Sequence, residues 1–141
     1  MILRLIKAPP AVGAHVRTEP GLLDQLWNRA PVTDAGVATI DADADVMSED
    51  YRLLWELVEE DQSRFAWMVR AINGIGETLD YECGYGPAFI VPAEQVVAVA
   101  DGLVAEGWES AREYGETVAH GVFDFYAEAA ANGKAIIGGV S

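Results

Sequence analysis

Lysine occurs only twice in the 141 residues, as Lys7 and Lys134, histidine only twice and cysteine only once. Each scarcity closes off chemistry. A lone Cys83 excludes an intrachain disulfide framework and any multi-cysteine zinc or iron–sulfur site. Neither lysine follows a glycine-rich phosphate loop, so there is no Walker lysine, and Gly74-Ile75-Gly76 lacks the third glycine of a dinucleotide fingerprint. His15 and His120 lie far apart, whereas a nucleophilic site needs a base within hydrogen-bond reach of its nucleophile. Nine basic residues stand against 23 acidic ones, and a pI near 4.2 argues against a nucleic-acid partner, which calls for clustered Lys and Arg. Long apolar runs are missing too. Met1 to Lys7 is interrupted by Arg4 and Lys7 and stopped by Pro9-Pro10, unlike a signal peptide or a membrane helix of about 20 apolar residues. The expectation is a cytoplasmic protein with no membrane partner and no cofactor.

What is present is a folding composition. Hydrophobic residues make up 51%, with four Trp, five Tyr and four Phe, which sets the chain apart from disordered acidic sequences despite its net charge of −14. Length predicts one domain, residues 1–141, able to bury roughly two thirds of its unfolded surface.

Residues 1–7 read as a strand, Ala8 to Glu19 as a loop, and Leu22, Leu23, Leu26 and Trp27 as a short helix. Val37 to Ile40 is a candidate edge strand. Ser48-Glu49-Asp50 then opens an amphipathic helix, with Tyr51, Leu54, Trp55 and Val58 inward and Arg52, Glu56, Glu59 and Glu60 outward. Phe65, Met68, Val69 and Ile72 repeat the spacing, giving two helices or one bent helix.

Gly74 to Gly86 reads as a loop, Ala88 to Val91 as a buried strand, and Pro92 as the start of a helix with Val96, Val97, Ala100, Leu103 and Val104 inward. A helix from Trp108 to Ala130, with Ala111, Val118, Val122, Phe123 and Tyr126 inward, and a strand from Lys134 to Val140 complete the chain. The predicted class is α+β: a compact domain with a small sheet that includes both terminal strands, packed with about four to five helices.

The negative charge is concentrated in two blocks. Residues 41–61 sum to −8 and residues 76–130 to −10, while the intervening and terminal stretches are slightly positive. Such blocks either form a solvated surface, or steer a basic protein partner or mimic a nucleic-acid phosphate array. Asp41, Asp43 and Asp45 alternate like the start of a calcium loop, but Val46 stands where the turn glycine belongs and Arg52 where the closing glutamate belongs. They make a weak metal candidate at most. Cys83 has Asp80 and Glu82 as neighbours, which raise a thiol pKa, and His120 falls near an apolar helix face. Gly86-Pro87 is turn chemistry feeding a strand, and Tyr85 either anchors that turn or lines a ligand site.

The run Gly84-Tyr85-Gly86-Pro87-Ala88-Phe89-Ile90-Val91-Pro92-Ala93-Glu94-Gln95-Val96 resembles a signature of the YfbM-like bacterial proteins, a domain of unknown function. The pattern is Tyr-Gly-Pro-Ala, an apolar strand, a proline step, then Glu and Val entering a helix. The ending Phe125-Tyr126-Ala127-Glu128-Ala129-Ala130-Ala131-Asn132-Gly133-Lys134-Ala135-Ile136-Ile137 is similar to the family's aromatic-alanine helix, glycine and terminal strand. The resemblance is concentrated at residues 84–104 and 122–141. The family's middle helix usually carries a histidine, and Tyr51 to Glu60 has none. The resemblance implies an α+β fold and a bacterial, cytoplasmic setting, and it implies no activity.

Two functions are expected from different classes. The first is a non-enzymatic acidic binding module for a basic protein, of an immunity or antitoxin type. The alternative is a small-molecule binder or enzyme with an aromatic and carboxylate pocket near Tyr81 and Tyr85. Candidate contact residues are Tyr81, Tyr85, Gly86 and Pro87 on the glycine-bearing stretch, and Trp55, Glu56, Glu59 and Glu60 on the amphipathic helix, Trp55 having a core position as its simpler reading. No catalytic pair stands out among the 23 carboxylates.

Overall fold

The structure is a computed structural model that describes residues 1–27, 45–110 and 117–141. In chain order its elements are β1 (Ile2–Ala8), α1 (Pro10–Thr18), α2 (Leu22–Trp27), β2 (Val46–Asp50) and α3 (Tyr51–Val58), followed by a 3₁₀ turn (Glu59–Asp61). Then come α4 (Ala66–Asn73), β3 (Thr78–Glu82), β4 (Pro87–Val91), α5 (Ala93–Ala105), α6 (Thr117–Ala131) and β5 (Ala135–Val140). The strands form one antiparallel sheet in the order β2-β1-β5-β4-β3, so the two terminal strands are adjacent within it.

Strand alternation divides the sheet into two apolar faces. Leu3, Leu5, Phe89, Val91 and Ile136 point to one face, where α3, α4, α5 and α6 cover them. Ile6, Ala8, Ala88, Ile90 and Ile137 point to the other, against Val12 and Val16 of α1 and Leu23 of α2. Missing side chains permit close approach at two points. A Cβ at Gly138 of β5 would collide with Phe89 and Leu5, and one at Gly102 of α5 would collide with the Trp67 ring. Tyr126 is fully buried and donates its hydroxyl proton to the Ala71 carbonyl oxygen at 2.8 Å, tying α6 to α4.

Several expectations are corrected. Ala8 to Glu19 contains α1: Pro10 sits at its first position, where a missing amide hydrogen costs nothing, and Val12 and Val16 supply the buried stripe. Ser48 lies inside β2, and the cap of α3 is Asp50, whose carboxylate accepts from the Arg52 and Leu53 amides at 2.9 and 3.4 Å. Gly74 to Gly86 contains β3, with Leu79 buried and Thr78, Asp80 and Glu82 exposed.

On α5, Val97 and Val104 are exposed, and Val99 takes the core position beside Val96, Ala100 and Leu103. The helix is apolar nearly all round, which blurs the reading of its inward face. The 3₁₀ turn separates α3 from α4, so the middle region is two helices. The last helix begins its described course at Thr117, and Trp108 is buried ahead of it. Six α-helices are described. Val37–Ile40, Asp41, Asp43 and Ala111 lie outside the described residues.

Candidate functional site

The α3 segment displays the first acidic surface. Asp50 fixes its start, and burial of Leu54 and Val58 fixes its rotation, so Arg52, Leu53 and Glu56 face outward and Glu59, Glu60 and Asp61 follow on the 3₁₀ turn. Among the described residues Glu56, Glu59 and Glu60 form no ion pair. Nearby arginines are drawn instead onto aromatic rings: the Arg64 guanidinium lies 4.9 Å from the Phe65 centroid and that of Arg70 lies 4.4 Å from the Trp67 centroid. Trp55 is half-buried, stacked on Tyr51 with centroids 6.3 Å apart, and it packs against the core. Trp55 therefore supports this surface from beneath.

The second site is a groove of about 200 Å³ on the same side of the sheet. Ile72 and Asn73 from the end of α4, Thr78 of β3, Tyr85, Gly86, Pro87 and Phe89 of the β3–β4 hairpin, and Gly139 and Val140 of β5 line it. Its geometry is braced by hydrogen bonds. The Tyr85 amide donates to the Val140 carbonyl at 3.1 Å, the Cys83 amide to the Gly86 carbonyl at 3.0 Å, and the Tyr51 hydroxyl to Asn73 Oδ1 at 2.7 Å. The Tyr51 bond joins the start of α3 to the groove. Tyr85 remains 66% exposed, far more than a turn anchor needs.

Tyr81 does not share this groove. It lies on the other face of the sheet, beside the α1–α2 cluster, and donates to Asp24 Oδ1 at 2.7 Å. Burial first, and then the Asp24 carboxylate, push its phenol up to about 12. The pocket expected to combine Tyr81 and Tyr85 is thus two separate environments. Among the described residues no carboxylate or imidazole lines the Tyr85 groove, and the ionisable group of that lining is the Tyr85 phenol. Cys83 is half-buried, and burial, reinforced by Glu82, pushes its thiol up to about 11 despite an opposing influence from Arg4.

Other charged groups are engaged in holding the fold. Glu106, at the end of α5, accepts from the Trp67 and Met68 amides at 2.8 and 3.1 Å and from Trp108 Nε1 at 2.9 Å. It caps α4 from a distant element. Lys7 is buried, pairs with Glu128 at 2.9 Å and lies 5.1 Å from the Phe125 centroid. Lys134 Nζ is 3.3 Å from Asp45 Oδ1, so the described member of the aspartate triplet faces a lysine. No group of three or more His, Cys, Asp or Glu that could hold a metal ion occurs among the described residues. A smaller cavity of about 130 Å³ between α1 and the start of α5 borders Arg17, which Glu77 already holds with two bonds of 2.6 and 3.0 Å. His120 pairs with Asp124 at 3.1 Å and meets Phe123 edge-on, as a packed histidine does.

Sequence reasoning misses Ile72, Asn73, Thr78, Phe89, Gly139 and Val140 as groove residues, and Thr78 is missed because its stretch reads as loop when its glycines are weighted first. Thr78-Leu79-Asp80-Tyr81-Glu82 carries the polar–apolar alternation of a half-buried strand, and that signal is the one that finds it.

An antiparallel five-stranded sheet with adjacent terminal strands and helices on both faces defines the class: an α+β protein of YfbM-like fold. The YfbM protein of Escherichia coli, described as a protein of unknown function, superimposes with a TM-score of 0.58 over 98% of each chain at 13% sequence identity. That likeness bears out the α+β class and the YfbM resemblance at the level of fold. No family model matches the chain. No curated protein matches its sequence. Among the described residues no helix is long and apolar enough to cross a membrane.

Proposed function

We propose that the chain is a non-enzymatic binding protein whose α3–3₁₀ surface docks a basic protein partner, in an immunity- or antitoxin-like role. The observation that carries this reading is the set Glu56, Glu59 and Glu60, exposed on capped α3 and the 3₁₀ turn that follows it and free of ion pairs among the described residues. Like charges gathered on one short element repel each other, and an incoming array of Lys and Arg relieves that repulsion while speeding encounter. The exposed Leu53 beside Glu56 adds an apolar contact to the patch.

The test is capture from host lysate at low and high salt, with the intact chain and its E56Q/E59Q/E60Q variant as baits. The expected result is one stoichiometric basic protein, held at low salt by the parent and not by the variant. A partner retained equally by both baits and at both salt levels overturns the reading.

A further inference from the structure

We infer that the Tyr85 groove is a receptor for an arginine side chain presented by a basic partner protein. Three features of the groove match three parts of that side chain. Its floor is apolar: Ile72 and Phe89 are buried, and Pro87 and Val140 complete it. An apolar floor suits the methylene stem of a long cationic side chain, which covers such surface while keeping its head in water.

The wall is Tyr85, two thirds exposed and held at its backbone by the hydrogen bond that its amide donates to the Val140 carbonyl. A planar guanidinium stacks on such a face, and a compact ammonium does so less well. A carboxylate stands one hydrogen bond outside the lining. Glu82 Oε1 accepts the Gly86 amide at 2.8 Å, and Gly86 lines the groove. That bond steadies the carboxylate beside Gly86 while its second oxygen stays available to a donor. Glu82 is exposed and forms no ion pair among the described residues.

Size points the same way. At about 200 Å³ the groove falls below the roughly 300 Å³ at which ordinary small-molecule sites begin, and it fits a single inserted side chain. The polar side chains of its lining carry no positive charge: Asn73 is occupied by Tyr51 and Thr78 is neutral. The groove thus combines an apolar floor and an aromatic residue, with a carboxylate on the amide of a lining residue and no cation among its described lining to repel a guanidinium. Through Tyr51 and Asn73 it also adjoins the start of α3, so one partner can span both sites.

The inference rests on the proposed function only for the source of the arginine, and the experiment reads the groove by itself. The isotope-labelled intact chain is titrated with a blocked Gly-Arg-Gly peptide, and separately with the lysine and citrulline counterparts, by amide chemical-shift mapping. The expected result is saturable shifts at Thr78, Tyr85 and Gly86 with the arginine peptide, weaker ones with lysine and none with citrulline. Y85L and E82Q should each weaken arginine binding by about fivefold, the loss of one cation–π or charge-assisted contact. E82Q retains an oxygen for the Gly86 amide, so it removes charge without releasing the turn. Equal shifts from all three peptides, shifts confined to α3, or no saturable shift overturn the inference. A groove that binds arginine while the α3 triple variant captures partner normally would overturn the proposed surface and leave the groove standing.

Discussion

The α3–3₁₀ surface and the region around the two lysines carry the same kind of charge and use it in opposite ways. Around the lysines the carboxylates are engaged within the fold, Glu128 with the buried ammonium of Lys7 and Asp45 with Lys134. On α3 and its following turn, Glu56, Glu59 and Glu60 face solvent, and the neighbouring Arg64 and Arg70 lie over aromatic rings. The contrast teaches that a net charge of −14 is not one property. Part of it is internal bonding, and part is surface held open.

Substitution of single carboxylates sharpens that contrast. The largest effect is expected at Glu106, which satisfies two backbone amides of α4 and the Trp108 indole. Glu106→Ala should cost about 3 kcal/mol in urea unfolding, the sum of a lost helix cap and an unsatisfied indole. Glu128→Gln should cost about 1–2 kcal/mol, because it leaves the buried Lys7 ammonium without its counter-charge. The same measurement on Glu56→Gln should show a change within about 0.5 kcal/mol, as for an ordinary surface site. A cost at Glu56 equal to that at Glu128 would erase the distinction.

Glu49 gives a smaller effect of opposite sign. It sits half-buried on β2 against α6, and burial, followed by the neighbouring Asp50, raises its carboxyl pKa. A raised folded-state pKa means that the folded protein holds this proton more tightly than the unfolded chain. Its stabilising contribution is present below the unfolded pKa and is lost as pH rises through the folded one. Glu49→Gln should therefore be slightly more stable than the parent at neutral pH, and the difference should close as pH falls through the carboxylate range. Chemical denaturation of both proteins at neutral and acidic pH checks this.

Legibility in the sequence follows the same divide between strong local signals and tertiary ones. Residues 51–58 are readable because Leu54 and Val58 recur at helical spacing with Glu56 opposite, and the outward placement of Glu59 and Glu60 on the next turn continues that pattern. The terminal strands are readable because β1 and β5 are apolar and bounded by proline or glycine. In α1, small residues fill many positions and Gly13 packs close to Ile90, so the periodic signal is thin. The groove is half legible: Tyr85, Gly86 and Pro87 form its hairpin side, but Ile72, Asn73 and Val140 arrive from elements distant in sequence. The role of Glu106 is set by long-range contacts with Trp67 and Met68, which no local pattern announces.

The most direct measurement takes the E56Q/E59Q/E60Q variant and follows both its unfolding free energy and its affinity for the captured basic partner across a salt series. If the α3–3₁₀ carboxylates are an interface held open, stability stays parental while affinity falls by a large factor and its salt dependence flattens. Parental affinity with an unchanged salt dependence would contradict that role.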